Sequence, residues 1–349
     1  FAAPHHNGHG GRQPQRTGAT DNQKGQCTIY PYIPVARISQ QQIRNLNISP
    51  AKCVEWVKES FALKEHALLP AKISIHPQGN DFFNTMPCAI PAPHHYFGVK
   101  IVHRIKGGIP ALGGDILLYD SHNGELLAML DADWITTMRT GAVATLAIQT
   151  FRKGNTESYG IVGLGNTGRA TMLCLLESEP DLMHNVCLMR YKNQAELFIE
   201  RFKDYPNVTF TICDDVKDLI GTSDVIVSCI TEADGLLCDD DSMYREGCLV
   251  VPVHTRGFQN CDLFFDKVYA DDTAHVCGFK YFSKFKQFAE IQEVISGLKP
   301  GRESDKERIL SYNIGLGLHD VVYASKIYEM CKEYTPDVVM KRETDKFWI

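Results

Sequence analysis

Three glycines, Gly163, Gly165 and Gly168, stand in the spacing G-x-G-x-x-G after the apolar run 159–162 and ahead of helix-forming residues. That spacing suits a pyrophosphate. The first glycine permits a tight turn, the second lets backbone N–H groups approach the anion, and the third lets helix and strand pack closely, while the helix N-terminus adds partial positive charge. Asn166 and Thr167, between the second and third glycines, would open that helix. Alone the pattern is weak, but between a strand and a helix, and followed by further such units, it points to a dinucleotide. About 20 residues on, where a carboxylate would hold the ribose hydroxyls of NAD, the chain carries Arg190, with Lys192 two places later. Guanidinium and ammonium groups suit a 2′-phosphate, so NADP(H) is the preferred cofactor expected and NAD(H) the alternative. Ordinary solvated charges after a strand would look the same. Thr231, beyond the apolar run 225–228, is expected to be a further cofactor contact.

These groups need a scaffold, and the pattern supplies one. From residue 159 the chain alternates strand and helix, with strands expected at 159–162, 186–189, 208–212, 225–228 and 249–253. Repeated units of this size imply a doubly wound parallel sheet of Rossmann type. Ahead of it, Ser49-Pro50 reads as the start of a helix with Val54, Trp56, Val57, Phe61 and Leu63 as its apolar positions. Residues 73–130 read as antiparallel strands with a hairpin turn at His122-Asn123-Gly124. A helix with small residues is expected over 140–151, with Arg139 at its opening, and a last strong helix over 316–334. The expected organisation is α/β. A tail at 1–26, poor in large apolar side chains, cannot bury enough to fold. An α+β substrate-binding and dimerisation domain is expected from 27–138 with 305–349, and the dinucleotide domain from 139–304. His5, His6 and His9 belong to the tail.

The bulk numbers agree. At 349 residues the chain is long enough for two cores. Its 44% hydrophobic and 22% charged residues are those of a globular protein, and its net charge of −6 leaves no basic field for nucleic acid. The 12 cysteines never fall as C-x-x-C pairs, so reduced thiols, no metal and a cytoplasmic setting are expected. No apolar run reaches the roughly 18 residues of a membrane helix.

The chain resembles the ornithine cyclodeaminase and mu-crystallin family, whose members include cyclodeaminases, amino-acid dehydrogenases and ketimine reductases. The resemblance covers most of the chain after the tail. It rests on Pro70-Ala71-Lys72, Met86-Pro87, Gly98-Val99-Lys100, the run Leu130-Asp131-Ala132-Asp133-Trp134 on to Arg139-Thr140, the glycine motif, Ala289-Glu290-Ile291, and Gly315 through Asp320. It implies a homodimer with its active site in the cleft between the domains. Lys100 and Arg139 fall where the family holds a substrate carboxylate, and Lys72 where a third basic residue stands; Asn84 and Met86 are expected to touch substrate. Cations around an α-carboxylate would fix the α-carbon against a nicotinamide, and a lysine among like charges could also move a proton.

Two positions depart from the cyclodeaminase pattern. His254 stands where those enzymes have a catalytic aspartate, and Asn84 where the ornithine-specific pattern has a glutamate. A histidine there would act as an acid or base near neutral pH; a structural imidazole bonded to the backbone is the competing reading. The expectation is therefore an NAD(P)-dependent oxidoreductase acting on the C–N bond of a small amino or imino acid, with Lys100, Arg139 and His254 as its catalytic set. A cyclodeaminase with tightly bound NAD is the first alternative. A mu-crystallin-like small-molecule binding protein is the second. Asp271-Asp272 carries no assigned role.

Overall fold

The computed structural model describes residues 18–20, 28–30, 32–109, 111–333 and 337–341. Two sheets dominate. The first has eight strands, in the order Val208–Cys213, His184–Met189, Ser158–Val162, Val225–Ser228, Leu249–Pro252, Ile309–Tyr312, Lys267–Ala270 and Phe288–Glu290. Every pairing within it is parallel. Four of its central strands are buried at every residue, as a parallel sheet covered on both faces requires. The first five strands expected from the sequence are all present.

Ile309–Tyr312 is a difference. The sequence pattern assigns 305–349 to the other unit, but this strand runs between Leu249–Pro252 and Lys267–Ala270 in the parallel sheet. Its four residues, Ile-Leu-Ser-Tyr, are too short a run to show a period, and only the sheet's open slot defines them.

The second sheet has seven strands, in the order Asp337–Lys341, Tyr32–Ile38, Leu126–Asp131, Leu112–Asp120, Tyr96–Arg104, Phe82–Ile90 and Ile73–Ile75. It is antiparallel except where Tyr32–Ile38 runs parallel to Leu126–Asp131. The expected hairpin lies between Leu112–Asp120 and Leu126–Asp131, with Gly124 at φ +77. Of the 1–26 tail, Gly18–Thr20 pairs with Thr28–Tyr30, since backbone hydrogen bonding needs no apolar side chain; the rest of that expectation lies outside the described residues.

Helix Pro50–Leu63 starts as expected, with Ser49 Oγ accepting the Lys52 N–H at 3.1 Å. The long helix Asp133–Phe151 starts earlier than the small residues suggested, because Asp131 Oδ1 accepts the Asp133 N–H and nucleates the turn. Arg139 therefore sits in its second turn rather than at its opening. This helix joins the two sheets. At Gly141 it lies against helix Asn166–Ser178, where an added Cβ would meet the Ala170 carbonyl carbon at 2.5 Å. Helix Gly317–Cys331 returns to the second sheet, and one apolar core runs through Pro50–Leu63, Asp133–Phe151, Gly317–Cys331 and both sheets. Among the described residues the cysteines are free thiols, and no helix is long and apolar enough to cross a membrane.

Candidate active site

Register places the basic residues. In the second sheet Met86 lies opposite Lys100, and Lys100 opposite Ile116, so all three occupy the face that packs under helix Gly317–Cys331. The helix approaches closely because two glycines allow it. A Cβ on Gly98 would lie 2.7 Å from Val321, and one on Gly317 would lie 2.9 Å from the Met86 carbonyl oxygen. Asp320, one turn into the helix, thereby reaches the strand.

Asp320 Oδ1 accepts from Lys100 Nζ at 2.7 Å and from Arg139 Nε at 2.9 Å. Lys100 and Asp320 have no exposed surface, and Lys100 Nζ also stands 3.5 Å from Thr136 Oγ1. Burial lowers the Lys100 ammonium to about 7; the Arg139 charge pushes the same way, and Asp320 opposes both. Burial works against the charge on Asp320, yet Arg139 and Lys100 outweigh it and hold the carboxyl below its ordinary range.

Lys72 joins the cluster from the loop after Pro70. Its ammonium is lowered by burial, while Asp271 opposes that and Arg139 adds to it. Asp271, also fully buried, accepts the Gly315 N–H at 2.5 Å and faces His275 Nδ1 at 3.3 Å. Lys72, Met86, Pro87, Asp272, His275 and Gly315 line one narrow cleft. Three basic side chains, Lys72, Lys100 and Arg139, thus meet two carboxylates, Asp271 and Asp320. Asn84 lies on the Lys100 face, opposite Val102, and accepts from Ser74 Oγ at 2.6 Å; it brings no carboxylate.

His254 departs from its expected behaviour. Its Nδ1 accepts the Arg256 N–H at 3.2 Å, its Nε2 lies 2.7 Å from Ser228 Oγ, and its ring stacks near Phe258. Burial, helped by the Arg256 charge, lowers it to about 4. A backbone N–H can only donate, so Nδ1 carries no proton and Nε2 donates to Ser228. The imidazole is neutral at pH 7. It is thereby lowered out of the pH 5 to 8 interval in which the sequence reading expects it to titrate.

The glycine loop fits a dinucleotide. Gly163 has φ +91, and a Cβ there would lie 2.6 Å from the Cys229 carbonyl carbon, so no other residue fits. Gly168 is pressed against the Gly163 carbonyl oxygen, which an added Cβ would meet at 2.4 Å. Gly165 faces open space, and no side chain caps helix Asn166–Ser178 behind it. The N–H groups at Asn166 and Thr167 are thus open to an anion. Lys192 and Thr231 are exposed. Arg190 is already engaged: Nε meets Asp214 Oδ1 at 2.5 Å and Nη1 meets Glu196 Oε1 at 2.6 Å.

Sequence reasoning gave no role to Asp320, Asp271 or Gly315. A signal for Asp320 was present, since Leu318-His319-Asp320-Val321-Val322-Tyr323 places a carboxylate within an apolar helix, where a charge needs a partner.

The fold, the glycine loop and the buried cations agree with a match of residues 36–335 to the ornithine cyclodeaminase/mu-crystallin family. The chain belongs to that family. Among its relatives, the Bacillus cereus Delta(1)-pyrroline-2-carboxylate reductase is 25% identical over 85% of this chain and 96% of its own. The nodulation efficiency protein NfeD of Rhizobium meliloti is 24% identical over 86% and 96%. The solved Thermococcus litoralis Delta(1)-pyrroline-2-carboxylate reductase, in complex with NADH and L-proline, superimposes with a TM-score of 0.76 at 21% identity, covering 87% of this chain and 99% of its own.

Proposed function

We propose that this protein is an NAD(P)-dependent oxidoreductase that acts on the C–N bond of a small amino or imino acid. The observation that carries the reading is the buried set Lys100, Arg139 and Asp320, tied by the Gly141 contact to the helix that opens at the glycine loop. A relative named as a pyrroline-2-carboxylate reductase supports the same chemistry.

The cofactor would be held at Gly163, Gly165, Asn166, Thr167 and Gly168, with Thr231 nearby. When bound, it supplies or takes the hydride. The chain's own residues do the rest. Arg139 and Lys72 take the substrate carboxylate, which fixes the α-carbon. Lys100, with its ammonium near neutrality, gives a proton to the imine nitrogen in reduction or takes one from the amine in oxidation. Met86 and Asn84 border the substrate. Neutral His254 donates a hydrogen bond and moves no proton. The cyclodeaminase alternative lacks an acid at 254 and a carboxylate at 84. Arg190 and Lys192 support NADP(H), but Asp214 and Glu196 offset them, so the preference over NAD(H) is small.

The same reading includes a homodimer through the sheet face opposite Lys100, where Phe83, Ile101 and Met129 are exposed, and a reducing, cytoplasmic setting for the free thiols. It divides the chain as the sequence suggests, with the return to the substrate-binding unit moved past Tyr312. The deciding experiment is a panel of cyclic and acyclic imino acids and amino acids with both nicotinamide cofactors. A lasting change in nicotinamide absorbance with at least one substrate is expected. Ammonia release without such a change would instead identify a cyclodeaminase.

A further inference from the structure

Burying two cations on one carboxylate is a poor way to stabilise a protein. Desolvation offsets most of the attraction, and well-packed apolar residues would serve as well or better. The set Lys100, Arg139 and Asp320 is also incomplete, since Asp320 Oδ2 is buried with no partner. Arg139 uses only Nε on Asp320. Its terminal nitrogens have no acceptor among the described residues, and they lie where Gly315 lacks a side chain: an added Cβ would stand 2.4 Å from Nη1 and 3.2 Å from Nη2. Gly315 lines the narrow cleft with Lys72 and Met86, has φ +96, and is pinned through its N–H by Asp271.

We infer that Asp320 is the positioning residue of this site: by taking Lys100 Nζ and Arg139 Nε on one oxygen, it turns the terminal nitrogens of Arg139 to the cleft at Gly315 as a fork for the substrate's α-carboxylate. The inference rests on the proposed function and adds how its carboxylate site is built. Gly315 is the matching half. Any side chain there would fill the space of the fork, and the positive φ already restricts the position to glycine. Asp320 touches no substrate. It acts through its two partners, setting the direction of Arg139 and the charge of Lys100. The charged groups facing Lys100 are Asp320 and Arg139 from the two helices and Lys72 from the loop, so loss of the Asp320 charge leaves only cations around it.

Two variants test this, each checked for folding by its melting temperature and its affinity for NADH. Asp320→Asn keeps the shape and removes the charge. It should raise KM for the imino acid about 10- to 100-fold, the scale of a charge-assisted contact, and move the Lys100 ionisation to lower pH. A purely structural role would lower activity and leave that ionisation in place. Gly315→Ala puts a methyl group at Nη1 and should raise KM while NADH affinity holds, a test that stands even if Asp320→Asn does not fold. Unchanged KM in Gly315→Ala, or an unmoved pH profile in a folded Asp320→Asn, overturns the inference and leaves the proposed reaction standing. If the wild type reduces none of the panel, the reaction fails instead. Calorimetric titration of the NAD-loaded protein with L-proline and L-alanine then decides the inference: binding by the wild type that Gly315→Ala loses supports it, and absent or equal binding overturns it.

Discussion

Lys100 Nζ and Asp320 Oδ1 lie 2.7 Å apart with no exposed surface on either residue, and under the proposed function this pair would set the pH dependence of the reaction. The Lys100 ammonium is lowered to about 7, chiefly by burial. A proton donor must hold its proton, so kcat/KM for imine reduction should fall as pH rises through about 7. Amine oxidation needs the neutral lysine and should rise over the same interval. Lys100→Met should flatten both limbs. Parallel limbs in the two directions would show that another group titrates.

The cofactor loop gives a prediction in which binding and folding separate. Gly165 has nothing within 4 Å of where a Cβ would stand, so Gly165→Asp should fold with a melting temperature near that of the wild type. Its carboxylate would meet the pyrophosphate, and affinity for NADPH and NADH should fall at least about 100-fold. Gly163→Ala should show the reverse order of effects, with loss of stability first, because its methyl group would lie 2.6 Å from the Cys229 backbone at a φ of +91. Unchanged NADPH affinity in a folded Gly165→Asp would remove the dinucleotide site.

Under the proposed function, cofactor choice would turn on the pairing of Arg190 with Asp214 and Glu196. Arg190→Asp should lower kcat/KM for NADPH about 10-fold or more and leave NADH nearly unchanged. Asp214→Asn should do the opposite and favour NADPH, because it frees the guanidinium for a 2′-phosphate. Equal losses with both cofactors in Arg190→Asp would mean that the arginine only braces the loop.

Five strands of the parallel sheet and the helix Pro50–Leu63 were legible because their features are local. Apolar runs such as 225–228, the glycine spacing and the Ser49-Pro50 helix start each depend on a few adjacent residues. Lys100 and Arg139 were legible through a resemblance, not through any period in the chain. What the sequence hid is long-range. Asp320 meets Arg139 across 181 positions, and nothing near either residue specifies the other. Arg190 looked free because its partner Asp214 comes from the end of the next strand, 24 positions on. The strand Ile309–Tyr312 was missed for the same reason, since its partners at 249–252 and 267–270 define it.

His254 shows how far local chemistry can mislead, and it supplies the last test. A histidine in place of an acid suggests a group that titrates near neutrality, but burial and the Arg256 charge lower this one to about 4. Its Nδ1 is committed to a backbone N–H and its Nε2–H to Ser228, so protonating it would break the first bond. His254→Asn keeps one of the two bonds through its amide. The variant should therefore retain the ionisation near pH 7 and lose less than about 10-fold in kcat, the scale of one neutral hydrogen bond. Lys100→Met should lose that ionisation altogether. If the profile instead disappears in His254→Asn and survives in Lys100→Met, the proton passes through the imidazole, and Lys100 serves only to hold charge beside Asp320.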